Sequence, residues 1–380
     1  MFRLECARTL LPDGNVGPAC VEVDGGIITS VESLTSVADN GHILAPAFVD
    51  LQVNGVDDVD VWRTARDQDR AAWDRIGSLL IEQGVGTWCP TLVTANRERY
   101  AEAVSFIGKF VEPQGDPELA YPERPRVAGV HLEGPFLGSA IGAHRADLVE
   151  AADVGFLESM SATPAIITVG AENPGVVDVI RTARRAGIVA SIGHSRPSRD
   201  QYEAAVDAGA RMITHLFNAM SGMAHREPGL ATWVLNDDRV VAGLIADGVH
   251  VHPDMIRLAF RCKPDAIALV TDAVAWRVGS AGPVSMQLID GAPRLTDGTL
   301  AGSVATMPDC VRVCVKAGVP LADALMAATS VPARVLGLDD VGRIAVGCRA
   351  DLVELDADMN VVRTILGGRL MSRNSSPEIP

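Results

Sequence analysis

The feature that most limits what this 380-residue chain can become is an alternation of apolar runs with amphipathic segments through its middle. Eight runs read as strands: Ala47–Gln52, Gly86–Thr91, Val127–Leu132, Ile166–Gly170, Val189–His194, Met212–His215, Val240–Ala246 and Ile267–Thr271. Helical patterns such as Asp67–Gln83, Arg97–Phe110, Val176–Ala186 and Arg199–Ala208 fall between them. Eight such units predict an α/β fold of the (β/α)8, TIM-like barrel type. An open doubly wound sheet is the alternative, but no GxGxxG follows the first run.

The two ends read differently. Phe2–Leu11, Ala19–Val23 and Ile27–Val31 are short strands separated by Pro12-Asp13-Gly14 and Asp24-Gly25-Gly26. Asp351–Asp356 and Val361–Leu366 repeat the pattern, followed by a Gly367-Gly368 turn. Neither piece alone has enough apolar faces to fold. Both termini are therefore expected to build one small β-sandwich domain, residues 1–45 plus 340–372, beside a catalytic barrel at 46–339. A polar tail, 373–380, is expected to fray.

Composition removes several function classes. With 33 basic and 48 acidic side chains the net charge is −15, the wrong sign for nucleic acid or an anionic membrane surface. Any phosphate has to be met locally by a few aimed donors. No apolar run is long enough to span a membrane, and the first residues lack the pattern of a signal peptide. The seven scattered cysteines contain no CxxC pair and read as buried thiols, which suits a cytoplasmic protein.

In a barrel the chemistry gathers at the C-terminal ends of the strands. Here six of the eight expected ends are polar: Asp50-Leu51-Gln52-Val53-Asn54, His131-Leu132-Glu133, His194-Ser195, Thr214-His215, Asp247 through His250, and Thr271-Asp272. Any one of these histidines alone reads as a hydrogen-bonded core side chain. Together, Glu133, His194 and His215 can supply one carboxylate and two imidazoles to a divalent metal and leave a position open for water. Asp272, one strand end away, is placed to act as general base, with a helix cap as the plain alternative. His131 shares the face of Glu133 and reads as a barrel-interior residue.

The strings HLEGPF (His131–Phe136), GHS (Gly193–Ser195), THLFNAM (Thr214–Met220), REPGL (Arg226–Leu230), ADGVHV (Ala246–Val251), LVTDA (Leu269–Ala273) and LAGS (Leu300–Ser303) resemble the N-acetylglucosamine-6-phosphate deacetylases of the amidohydrolase superfamily. The resemblance runs from about residue 2 to residue 370 in the expected order. It implies that Glu133, His194 and His215 bind the catalytic metal and that Asp272 is the acid and base. It implies substrate contacts from Ala143, His144, Asn218, Ala219, Arg226, His250, Leu300, Ala301 and Gly302. It also implies a homodimer in which Arg226 reaches across the interface.

Two departures bear on the metal count. Two-metal members of the superfamily carry His-x-His after strand one, where this chain has Gln52-Val53-Asn54. Other members bridge two metals through a modified lysine at strand four, and none of Lys109, Lys263 and Lys316 lies near Ile166–Gly170. One divalent ion per subunit is therefore expected, zinc first, with Fe(II), Co or Mn as alternatives, and with Gln52 and Asn54 orienting water or substrate. The expected reaction is hydrolysis of N-acetylglucosamine 6-phosphate to glucosamine 6-phosphate and acetate. The alternatives are an amidohydrolase acting on another N-acyl amino sugar or on an N-acyl amino acid, and a non-catalytic relative.

Overall fold

The computed structural model describes residues 1–111, 124–160, 162 and 164–371, so the expected tail at 373–380 lies outside the described residues. Eight parallel strands follow one another around a barrel: Phe48–Val53, Val85–Val93, His131–Glu133, Ile166–Val169, Val189–Ile192, Met212–Ile213, Val241–Leu244 and Ile267–Leu269. Nearly every residue in them is buried, as expected for strands covered by helices outside and side chains within. The ring closes beyond the last regular pair. Asp272 N donates to Gln52 O at 3.0 Å, and Asn54 N donates to Ala273 O at 2.8 Å.

Several strands are shorter than the apolar runs, for a local reason. His194, His215 and Asp272 have φ of 50°, 32° and 49°, in the left-handed region. A residue there turns the backbone out of the ladder, so the strand stops and the side chain swings over the barrel mouth. The third run, expected as continuous from Val127 to Leu132, is interrupted. Gly129 takes a φ of 137°, and a Cβ there would lie 2.7 Å from that of Ala165.

Helix starts follow their caps. Arg199–Ala208 begins at Ser198, which forms a capping box with Gln201. The helix expected over Asp67–Gln83 spans Arg70–Glu82, because Gln68 is left-handed and Asp69 accepts from Ala72 N at 3.0 Å.

The strands of the two chain ends form one seven-stranded sheet, in the order Arg369–Met371, Val361–Leu366, Leu352–Leu355, Ile43–Pro46, Phe2–Leu10, Val16–Asp24, Ile27–Ser33. Ile43–Pro46 is the hinge of this arrangement. It pairs antiparallel with Leu352–Leu355 and parallel with Phe2–Leu10, and leads directly into the first barrel strand. Val21, Val23, Ile28, Leu44, Leu352 and Ile365 pack under the sheet. After the eighth barrel strand, two small hairpins, Ser280–Ala281 with Val284–Ser285 and Gln287–Ile289 with Ala292–Arg294, fold beside the mouth.

Candidate active site

The floor of the site is a chain of polar side chains inside the barrel. Burial pushes the His131 imidazole down to about 4, so the ring is neutral at physiological pH. Its Nδ1 donates to Leu51 O at 3.0 Å, which leaves Nε2 to accept from Thr168 Oγ1 at 2.8 Å. Thr214 then donates to Thr168 at 2.7 Å, and Ser191 to Thr214 at 2.6 Å. This run of hydroxyls ties strands three to six together beneath the mouth.

Above it, the expected metal ligands converge. Glu133 Oε1 lies 3.1 Å from His194 Nε2 and 3.2 Å from His215 Nε2, and those two nitrogens are 3.0 Å apart. Tetrahedral zinc, with bonds of about 2.0–2.2 Å, holds its ligand atoms roughly 3.3–3.5 Å from one another. The donor set and its spacing fit a divalent cation. His144 stands on the other side of the carboxylate, its Nε2 3.7 Å from Glu133 Oε2 and its ring 4.4 Å from that of His194. Glu133, His144 and His194 also place one donor atom each within 4.8 Å of one another. Thus His144 is closer to the ligand cluster than a purely substrate-facing residue needs to be.

The electrostatics separate the two carboxylates. Burial raises the Glu133 carboxyl, but hydrogen bonds from His194 and His215 and the charge of His144 outweigh it and hold the group well below its usual range. Burial and the charge of Glu133 push the Asp272 carboxyl up to about 7, against the smaller pulls of His215, His250 and Asn54. Gln52 Nε2 donates to both groups, to Glu133 Oε1 at 2.9 Å and Asp272 Oδ1 at 3.0 Å. Asn54 Nδ2 donates to the same Asp272 Oδ1 at 2.6 Å. Burial and the neighbouring His194 push His144 down to about 3. For His215, burial lowers the ring, but the hydrogen bond and charge of Glu133 win and raise it.

A cavity of about 210 Å3 opens over this cluster. Of the expected residues, Asn54, Ala143, His144, Asn218, Ala219, His250, Leu300, Ala301 and Gly302 line it with Glu133, His194, His215 and Asp272. His250 is aimed by Asp247, whose Oδ2 accepts from Nδ1 at 2.7 Å and whose Oδ1 accepts from the His250 backbone at 2.8 Å. Gln52 sits behind the wall rather than on it. Arg226 is exposed, on a segment that does not reach the cavity of its own chain.

Sequence reasoning did not find the apolar wall of Val274, Ala281, Val284 and Met286. Ordinary valines and alanines carry no signal of their own. The polar partner Asp247 was visible as part of a strand end, but its grip on His250 was not.

Known proteins share this arrangement of chain. Residues 43–371 match the amidohydrolase family. The N-acetylgalactosamine-6-phosphate deacetylase of Escherichia coli O157:H7 is 33% identical over 383 residues, spanning 97% of this chain and 99% of that one. The N-acetylglucosamine-6-phosphate deacetylase of Bos taurus is 36% identical over 379 residues, spanning 92% and 90%. The crystal structure of N-acetylglucosamine-6-phosphate deacetylase from Thermotoga maritima aligns with a TM-score of 0.88 at 30% identity, over 98% of this chain and 100% of that one.

Proposed function

The chain belongs to the amidohydrolase family, among its N-acetylglucosamine-6-phosphate deacetylases, and from that premise we propose that it hydrolyses the N-acetyl group of N-acetylglucosamine 6-phosphate to glucosamine 6-phosphate and acetate. The observation that carries the reading is the meeting of Glu133, His194 and His215 beside Asp272 at the base of one cavity. Those three ligands would hold one divalent ion, zinc in our reading. A bound cation supplies Lewis acidity to the acetyl carbonyl and acidifies water.

The protein's own groups do the rest. Asp272 takes a proton from the attacking water and returns it to the departing nitrogen, since an amine leaves poorly unless protonated. Both amides donate to Asp272 Oδ1, which leaves Oδ2 for the travelling proton. His144 and Ala143 face the acetyl and sugar, while Leu300, Ala301 and Gly302 cover the ring. Asn218, Ala219 and His250 meet the sugar and phosphate, and Asp247 keeps the His250 ring oriented.

Arg226, exposed and away from its own cavity, is assigned to the site of a second copy in a homodimer. Its guanidinium supplies a local positive charge that the net −15 does not. That balance also disfavours nucleic acid as a partner. Among the described residues no helix is long and apolar enough to cross a membrane, and we assign the enzyme to the cytoplasm.

The match to a galactosamine-specific name keeps the C4 epimer as a second reading. One experiment addresses both. Protein stripped with a chelator and reloaded with one equivalent of metal is assayed for acetate release. N-acetylglucosamine 6-phosphate, its galacto epimer and the phosphate-free sugar serve as substrates. The expected order places the gluco 6-phosphate first and the phosphate-free sugar roughly 10- to 100-fold lower in kcat/KM, the value of a charge-assisted contact or two. Faster turnover of the galacto epimer would reassign the substrate, and equal rates without phosphate would remove it from recognition.

A further inference from the structure

Strand four is one of the two barrel strands whose ends supply none of the candidate site residues named above, yet its end carries Glu172. We propose that Glu172 is a positioning residue that fastens the substrate loop, Gly138–Leu148, to the His194 strand end and thereby sets the orientation of His194 and His144. The proposal rests on the reading of the cavity as a deacetylase site.

One carboxylate gathers four donors from two segments. Glu172 Oε1 accepts from Ser139 N at 2.8 Å, Ser139 Oγ at 2.9 Å and Arg196 N at 2.7 Å, and Oε2 accepts from Ser195 Oγ. Ser195 Oγ in turn accepts from Ala171 N at 3.0 Å. Ser139 opens the segment that carries Ala143 and His144, whereas Ser195 and Arg196 directly follow His194.

The backbone is shaped around this carboxylate. A Cβ on Gly138 would lie 2.3 Å from Glu172 Oε1 and 2.4 Å from its Cδ. A Cβ on Gly170 would lie 2.1 Å from Gly138 N. Only hydrogen fits at Gly170, where loop and strand backbones touch, and at Gly138 a side chain would displace the carboxylate.

The link reaches the candidate ligand in two further bonds. Gly138 N donates to His194 O at 3.0 Å, and His194 Nδ1 donates to Ala140 O at 3.2 Å. Ala140 is the residue after Ser139. A carbonyl that takes the Nδ1 proton leaves Nε2, the nitrogen that faces Glu133, as the one to give up its proton and ligate a cation. On the far side of the same loop, His144 Nδ1 accepts from Thr94 N at 3.4 Å. Moving Ser139 therefore moves both imidazoles.

Three donors, two of them backbone N–H groups, share Oε1, and the Ser195 hydroxyl donates to Oε2. Glutamine has the same shape, but with its oxygen kept for the three donors its NH2 faces Ser195 Oγ, which must reverse from donor to acceptor and leaves the hydroxyl proton without its carboxylate. Glu172→Gln is the sharpest test. It is read by hydrogen–deuterium exchange, by metal affinity in competition with a chromophoric chelator, and by KM and kcat at saturating metal. In Glu172→Gln, residues 138–148 and 193–196 should exchange on the order of tenfold faster while Val241–Leu244 and Ile267–Leu269 stay unchanged. Metal affinity should fall roughly 10- to 100-fold, as when the outer partner of a ligating histidine is lost. KM should rise by about tenfold, with kcat within about threefold of the parent.

Ser139→Ala removes one hydroxyl donor and leaves the fold intact if Glu172→Gln does not. It should quicken exchange in residues 138–148 alone, by roughly two- to threefold. Unchanged exchange and unchanged metal affinity in either folded variant would overturn the proposal. So would a uniform quickening across the barrel, which marks a plain structural brace. Exchange and metal affinity need no substrate, so a wild-type protein that releases no acetate defeats the functional reading and leaves this test standing.

Discussion

In the terminal sheet, strands such as Val16–Asp24 and Val361–Leu366 contain no left-handed residue, and left-handed non-glycine backbone is confined to Met359 in a turn. At the barrel mouth, His194, His215, Phe217, Ala219 and Asp272 are all left-handed. The mouth also holds buried polar atoms without a hydrogen-bond partner among the described residues: Gln52 Oε1, Asn54 Oδ1 and His215 Nδ1. None of the atoms left so lies in the terminal sheet. One region spends its residues on packing. The other tolerates strain and unmet polar groups, which persist where the surrounding fold over-determines the geometry and a ligand is to be met.

Breaking the chemistry of the mouth has the largest expected effect. Asp272→Asn should lower kcat by about 10^2- to 10^4-fold, the usual worth of a positioned acid and base. Its metal content, measured by elemental analysis, should match the parent, and its melting temperature should be no lower, since burial already disfavours the Asp272 charge. Substantial turnover in that variant removes Asp272 from the proton path.

In the terminal sheet the expectation inverts. Ile28, fully buried under that sheet, leaves a cavity when shortened, and Ile28→Ala should cost about 2–5 kcal/mol in urea unfolding. KM and the kcat of the folded fraction should not move. A shift in KM would mean that the sheet is coupled to the mouth, and the contrast between the two regions would fail.

Asp50 tests the boundary between them. It is buried inside the barrel, accepts from Thr271 Oγ1 at 2.6 Å, and burial pushes its carboxyl up to about 6. Below pH about 4 the group is neutral in folded and unfolded chains alike. As pH rises from about 4 to about 6 the unfolded chain ionises first, so the fold loses up to about 3 kcal/mol from this residue. Asp50→Asn should therefore gain stability relative to the parent across that window, seen in urea midpoints at pH 4 and pH 7. Parallel pH profiles would show that Asp50 ionises in the fold at no cost.

Much of this was legible in the residue order because it depends on local chemistry. Alternating apolar runs place eight strands, and polar residues at their C-terminal ends mark the mouth without knowledge of any contact. Glu133, His194, His215 and Asp272 were legible for that reason. Strand lengths were not, since whether His215 extends a strand or leaves it is a matter of backbone turn. The interruption at Gly129 depends on Ala165, and the start of the helix Arg70–Glu82 on a left-handed Gln68.

By itself, then, the sequence determined the strand and helix alternation and which carboxylate and imidazole side chains stand at the strand ends, because periodicity and donor chemistry are carried by each short segment. Only the tertiary structure decided which atoms meet. It brought Gln52 to Asp272 across 220 positions and Ser139 to Glu172 across 33, set Val284 and Met286 as a wall, and left Arg226 outside its own cavity. Those pairings come from barrel closure and loop packing. Separation along the chain carries no measure of distance in space, so the order of residues alone did not contain them.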